Sequence, residues 1–157
     1  MSDLYDRDFY AWANEQVALL RSGNLPSADI ANIAEEIESM GRSEKRELVN
    51  RLNVLLKHLL KWKYQPERRG TSWRLSIANS RDQLTDHLNE NPSLKAHRLD
   101  AMASAYRYAR RETAIETGLP ASTFPVSCPW TFDQTMSGEP SETERVAALK
   151  ASGTPPG

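Results

Sequence analysis

Apolar residues return every three or four positions along most of this chain, the period of a helix with one buried face, and no stretch alternates long enough to suggest a strand. Tyr5, Phe9, Trp12, Ala13, Gln16 and Leu20 form one stripe and predict a helix over residues 4–22. Gly23 and Asn24 stop it, with Pro26 just beyond. A second helix is predicted over 29–41, with Asp29 as its N-cap and Ile30, Ile33, Ile37 and Met40 as its buried face. Gly41 is placed to end it or bend it sharply, and Ser43 can cap the next. Residues 44–64 predict the longest helix, with Leu48, Leu52, Leu55, Leu56, Leu59 and Trp62 on a wide apolar face and Pro66 as its stop. A fourth is predicted over 73–89, capped by Thr71 or Ser72, with Trp73, Ile77, Leu84 and Leu88 in its stripe. Asn91 and Pro92 open a fifth that runs to about residue 117 through Leu99, Met102, Tyr106, Ala109 and Thr113. Gly118 and Pro120 end it.

The pattern then changes. ASTFPVSCPWTFDQ sets three prolines among Phe124, Val126, Trp130 and Phe132, which predicts an extended strap packed over the helices. From Ser137 the chain lacks large aromatic anchors and reads as a mobile tail. The fold class is therefore all-α: a five-helix, bundle-like domain with an extended Pro-rich C-terminal strap. Residues 1–136 form the single domain and 137–157 the tail.

Composition narrows this only a little. At 157 residues the chain suits one domain with a core of its own. No apolar run approaches the roughly 20 residues that span a bilayer, so no membrane partner is expected. A single cysteine, Cys128, excludes an intrachain disulfide and points to a reducing, cytoplasmic compartment. The net charge of −1 hides a segregation. Residues 1–42 carry 8 acids and 3 bases, residues 43–111 carry 7 and 15, and residues 112–157 carry 6 and 2. Either acidic elements pack beside basic ones, or the middle segment offers a basic face to an anionic partner such as nucleic acid.

The stretch LLKHLLKWKYQPERRG, residues 55–70, concentrates that basic charge. On a helical wheel Lys57, Lys61 and Lys63 do not cluster, so most of it reads as the solvated back of an amphipathic helix. His58 falls at the edge of the apolar face, one turn from Trp62. Arg81 falls inside the stripe of the fourth helix, with Arg74 one heptad earlier, and Glu36 leans toward the apolar side of the second. A guanidinium inside a stripe needs a partner, because an unpaired buried charge is costly, and Glu36 is the expected one. Two readings follow. The pair fixes helix register; or Glu36, His58, Arg74 and Arg81, walled by Trp62 and Trp73, form a pocket for a small anionic ligand, a phosphate or a nucleotide.

Catalytic chemistry has thin support. Three histidines without Glu-x-x-His spacing exclude a di-metal carboxylate site, and no metal or cofactor is expected. No phosphate-binding glycine loop, serine elbow or zinc-protease motif is present. Cys128, between Ser127 and Pro129, reads as a packing residue. RDQLTDH, from Arg81 to His87, resembles the arginine–histidine signature of the helical ribonucleases named for nucleotide-binding domains of higher eukaryotes and prokaryotes. There, such a pair acts on an RNA phosphate. A six-residue offset, however, sets the two about 120° apart on a regular helix.

Five blocks occur in order: YDRDFYAWANEQVALLRSG, DIANIAEEIESMGRSEKRELVNRL, LLKHLLKWKYQPERRGTSWRLSI, NPSL, and ETGLP with FPVSCPW. Over about residues 5–134 they resemble the bacterial family called domain of unknown function 29. The resemblance implies a small all-helical domain and no activity. Where the family pattern continues with further acidic and apolar residues, this chain turns to SGEPSETERV. The resulting expectation is a non-catalytic interaction or regulatory module, with a protein partner or a homodimer. The alternative is an RNA-processing or phosphate-handling enzyme that uses Arg81 with His58 or His87.

Overall fold

The computed structural model describes residues 2–138, with side chains from residue 4; the predicted tail beyond Gly138 lies outside the described residues. All regular structure among the described residues is helical. Six α-helices follow in order: α1 Ser2–Arg7, α2 Phe9–Arg21, α3 Ile30–Tyr64, α4 Thr71–Glu90, α5 Arg98–Thr117 and α6 Phe132–Met136. Two compact units divide the chain, Met1–Glu44 and Lys45–Gly157.

In the first unit the predicted 4–22 helix is broken at Asp8, whose carboxylate accepts the Ala11 amide at 3.0 Å and caps α2. Tyr5, Phe9 and Trp12 stack across the break, with Tyr5 and Trp12 edge to face at 4.7 Å. Gly23, at φ 77°, closes α2 in a Schellman turn: Asn24 N–H reaches the Leu19 carbonyl and Gly23 N–H the Leu20 carbonyl. Asp29 caps α3 as expected, accepting the Asn32 backbone amide at 3.4 Å and the Asn32 side chain at 2.8 Å. It also receives the Trp12 indole N–H at 3.1 Å, while its own amide donates to Gln16 at 2.7 Å. These polar contacts run along the Asp29–Asn32–Glu36 edge of α3. The predicted buried face of isoleucines is therefore not buried: Ile30, Ile37 and Met40 are 54%, 64% and 66% exposed, and Ile33 is half-buried.

Gly41 does not end a helix. α3 runs through it, and Arg42 bridges back to Glu35 at 3.2 Å and Glu38 at 3.9 Å. Glycine permits a break without enforcing one; inside a helix it costs about 0.5–1 kcal/mol relative to alanine, which neighbouring turns offset.

The second unit holds the core. Leu48, Leu52, Leu55, Leu56, Leu59, Leu60 and Trp62 of α3 are buried against Ile77, Leu84 and Leu88 of α4 and Met102 and Tyr106 of α5. Pro66 follows the end of α3 as expected, but Thr71 and Ser72 lie inside α4 and Gly70 takes the N-cap position. The predicted fifth helix opens with 3-10 turns over Pro92–His97, and α5 proper starts at Arg98. The buried stripe of α5 holds the expected Met102, Tyr106, Ala109 and Thr113 together with Ala101 and Ala105, whereas Leu99, at the edge of the stripe in the first turn, is 81% exposed. Gly118, at φ 73°, terminates α5 as its sequence predicted. The strap crosses this unit as expected. Phe124 is buried edge-on against Tyr64 at 5.2 Å, and Thr131 with Gln134 forms a capping box that starts α6.

Candidate functional site

The six residues singled out in the sequence each have local partners. Glu36, in the first unit, accepts the Tyr5 hydroxyl, and this bond pushes the Tyr5 pKa up to about 12. His58 shares its Nδ1 with the Val54 carbonyl at 2.8 Å, one turn back, and burial lowers its pKa below the usual 6.5. Trp62 is 2% exposed and lies between two guanidinium groups, Arg69 at 5.3 Å and Arg74 at 5.7 Å from its ring centre. Arg69 also donates to the Trp62 carbonyl at 2.6 Å. Trp73 is half-buried against the core. Arg81 donates from Nε to the Thr135 carbonyl at 2.9 Å and from a terminal nitrogen to the Ser137 carbonyl at 3.5 Å, at the end of α6. Trp62 and Arg74 are thus brought together, whereas Arg81 serves the end of the strap segment. His87 is buried, 5% exposed, so its offset of about 120° from Arg81 does not turn it to solvent.

The basic stretch that looked like a solvated helix back is a salt-bridged seam. Lys57 and Lys61 are only 19% and 17% exposed, and both reach Glu116 of α5, at 3.1 and 2.5 Å. Lys57 also lies 3.7 Å from Glu112, which in turn accepts Asn53 at 3.1 Å. Much of the charge in that strip is therefore neutralised by α5 carboxylates.

A different feature is open. Between α5 and the strap lies a groove of about 620 Å³, walled by Met102, Tyr106, Val126, Trp130 and Phe132. Among the described residues its charged lining is Arg107 and Arg110. Tyr106 donates its hydroxyl to the Pro125 carbonyl. Arg110 donates to the carbonyls of Phe124 at 3.2 Å and Ala121 at 3.0 Å. Those bonds tie the strap to α5 and fix the position of one groove wall. Arg107 stacks on Tyr108 and has no carboxylate partner among the described residues. Leu99 and Val126, at the rim, are 81% and 82% exposed, so apolar surface extends beyond the cleft. Cys128 lines the same groove, and burial raises its thiol pKa above the usual 9.0.

A larger cavity of about 850 Å³ lies in the first unit. Several of its polar groups already have internal tasks: Asp29 holds Trp12 and Asn32, and Gln16 holds the Asp29 amide. These groups are therefore already committed to holding α2 against the start of α3. Among the described residues no three histidine, cysteine, aspartate or glutamate side chains are placed to hold a metal ion. No described helix is long and apolar enough to cross a membrane.

The groove escaped sequence reasoning because it depends on the strap's path. Its one sequence signal is RYARR, residues 107–111, a basic run on the helix that immediately precedes the proline-rich segment.

The family model described as a domain of unknown function, DUF29, matches residues 4–139. The chain belongs to that family. No curated protein and no solved structure matches it.

Proposed function

We propose that this chain is a non-catalytic protein-interaction module whose groove between α5 and the strap takes an acidic amphipathic helix. The supporting observation is the pairing of an apolar floor with exclusively cationic wall charges, Arg107 and Arg110. A helix laid in such a groove buries two or three apolar anchors and sets its carboxylates beside the arginines. The exposed flanks Leu99 and Val126 favour a macromolecular occupant, since a small ligand would leave them uncovered. The enzyme reading lacks a comparable site, because Arg81 is bonded to strap carbonyls and His58 to its own helix. A lone half-buried thiol fits a reducing compartment, the cytoplasm.

The test uses two fluorescein-labelled helical peptides with the same leucine stripe, one with glutamates on its polar face and one with lysines. The glutamate peptide binds, slows alkylation of Cys128, and loses about tenfold in affinity with Arg107→Glu, a change of ~1.4 kcal/mol. Equal binding of both peptides, or of neither, removes the reading.

A further inference from the structure

The first unit carries a surface with the opposite character to the groove. Ile30, Ile37 and Met40 stand along one stripe of α3, each more than half exposed. Ala34 and Gly41 fall on the same face, at i+4 and i+11 from Ile30, and keep the helix surface low between the large side chains. A Cβ placed on Gly41 would meet nothing within 4 Å, so no contact in this chain calls for a glycine there. A glycine inside a helix is nonetheless a cost, and a close external neighbour on this face would account for it.

Charge selects the neighbour. Residues 1–44 carry 9 acids and 3 bases, a balance of −6, while residues 45–138 carry 9 acids and 15 bases, a balance of +6. Packing two first units together would set −6 against −6. An acidic, apolar helix face instead matches a basic, apolar groove. We propose that the occupant of the α5–strap groove is a second copy of this chain, presenting the Ile30–Ile37–Met40 stripe of α3. This rests on the groove reading above and supplies its ligand from the same chain. Ile30 and Ile37 lie two helical turns apart, with Met40 one turn further, the anchor spacing of a helix seated in a groove. Each copy has one stripe and one groove, so two copies either exchange stripes in a closed two-fold dimer or add head to tail and extend.

The experiment is light-scattering mass determination on the full chain over a concentration series, at low and high salt. The mass rises with concentration and the rise weakens with salt. Ile37→Glu and Val126→Glu sit at exposed positions and leave the circular dichroism unchanged. Each alone weakens association at least tenfold. An equimolar mixture of the two associates as a one-to-one heterodimer through a single stripe–groove contact, because one partner keeps its groove and the other its stripe. A wild type that stays monomeric, a Val126→Glu variant that still associates, or a mixture that forms no heterodimer overturns the proposal. Monomeric protein that still binds the glutamate peptide leaves the groove reading standing. Self-association that persists while the glutamate peptide occupies the groove overturns the proposal alone, and equal binding of the two peptides or of neither removes both.

Discussion

Tyr106 shows how much of the candidate site depends on single atoms. Its ring is buried in α5 and its hydroxyl holds the Pro125 carbonyl, so one residue anchors both the core and a groove wall. Burial, the largest cause, lifts its pKa from 10.0 to about 12. The folded chain then keeps the proton that the unfolded chain loses, and this contribution to stability is complete below pH 10 and is lost as pH rises toward 12. Tyr106→Phe removes the hydrogen bond at a cost of about 1 kcal/mol and flattens that alkaline loss, which urea denaturation at neutral and alkaline pH measures. His58 has the opposite sign of dependence on acid. Its folded pKa lies below 6.5, so its contribution is complete above that value and is lost as pH falls through the folded pKa. His58→Gln makes the melting temperature less sensitive to acidification from pH 7 to 5. The sequence placed His58 correctly at a boundary. It could not supply the Val54 carbonyl as its partner, because a histidine's hydrogen bonds depend on its rotamer.

At the scale of elements, helix content and most helix ends follow from local chemistry. Asp29, Pro66, Gly118 and the proline-rich strap act where the residue types dictate, since caps and φ restrictions need only neighbours a few residues away. Gly41 is the exception, since whether a helix passes through a glycine depends on the packing of its flanks. In the dilute, monomeric chain Gly41→Ala stabilises α3 by about 0.5–1 kcal/mol, read as a raised denaturation midpoint, because the new methyl meets no atom of the same chain within 4 Å. The seam of Lys57 and Lys61 with Glu116 was likewise hidden in the sequence, since those residues stand more than fifty positions apart. Leu99 was misplaced because it stands at the edge of its stripe in the first turn of α5, and a 3.6-residue period does not say how far the covering segments reach.

Across the whole molecule, charge and exposure separate into two units of opposite sign. The acid-rich first unit exposes isoleucines, and the base-rich second holds both the leucine core and an arginine-lined groove. The pairing proposed between copies therefore gains from long-range attraction, and added salt slows its formation. Membership of a family described as a domain of unknown function leaves the groove and the stripe as the features from which a role is argued.

The sequence by itself determined that the chain is helical, where most helices stop, and that a strap follows them, because these depend on periodicity and on short-range backbone restrictions. Only the tertiary structure decided which apolar stripes are covered. The leucines of residues 48–60 and the isoleucines of residues 30–37 obey the same spacing, yet the first are buried and the second largely exposed. Periodicity states that a face is apolar; coverage depends on where a distant segment comes to rest, and that is a property of the assembled chain.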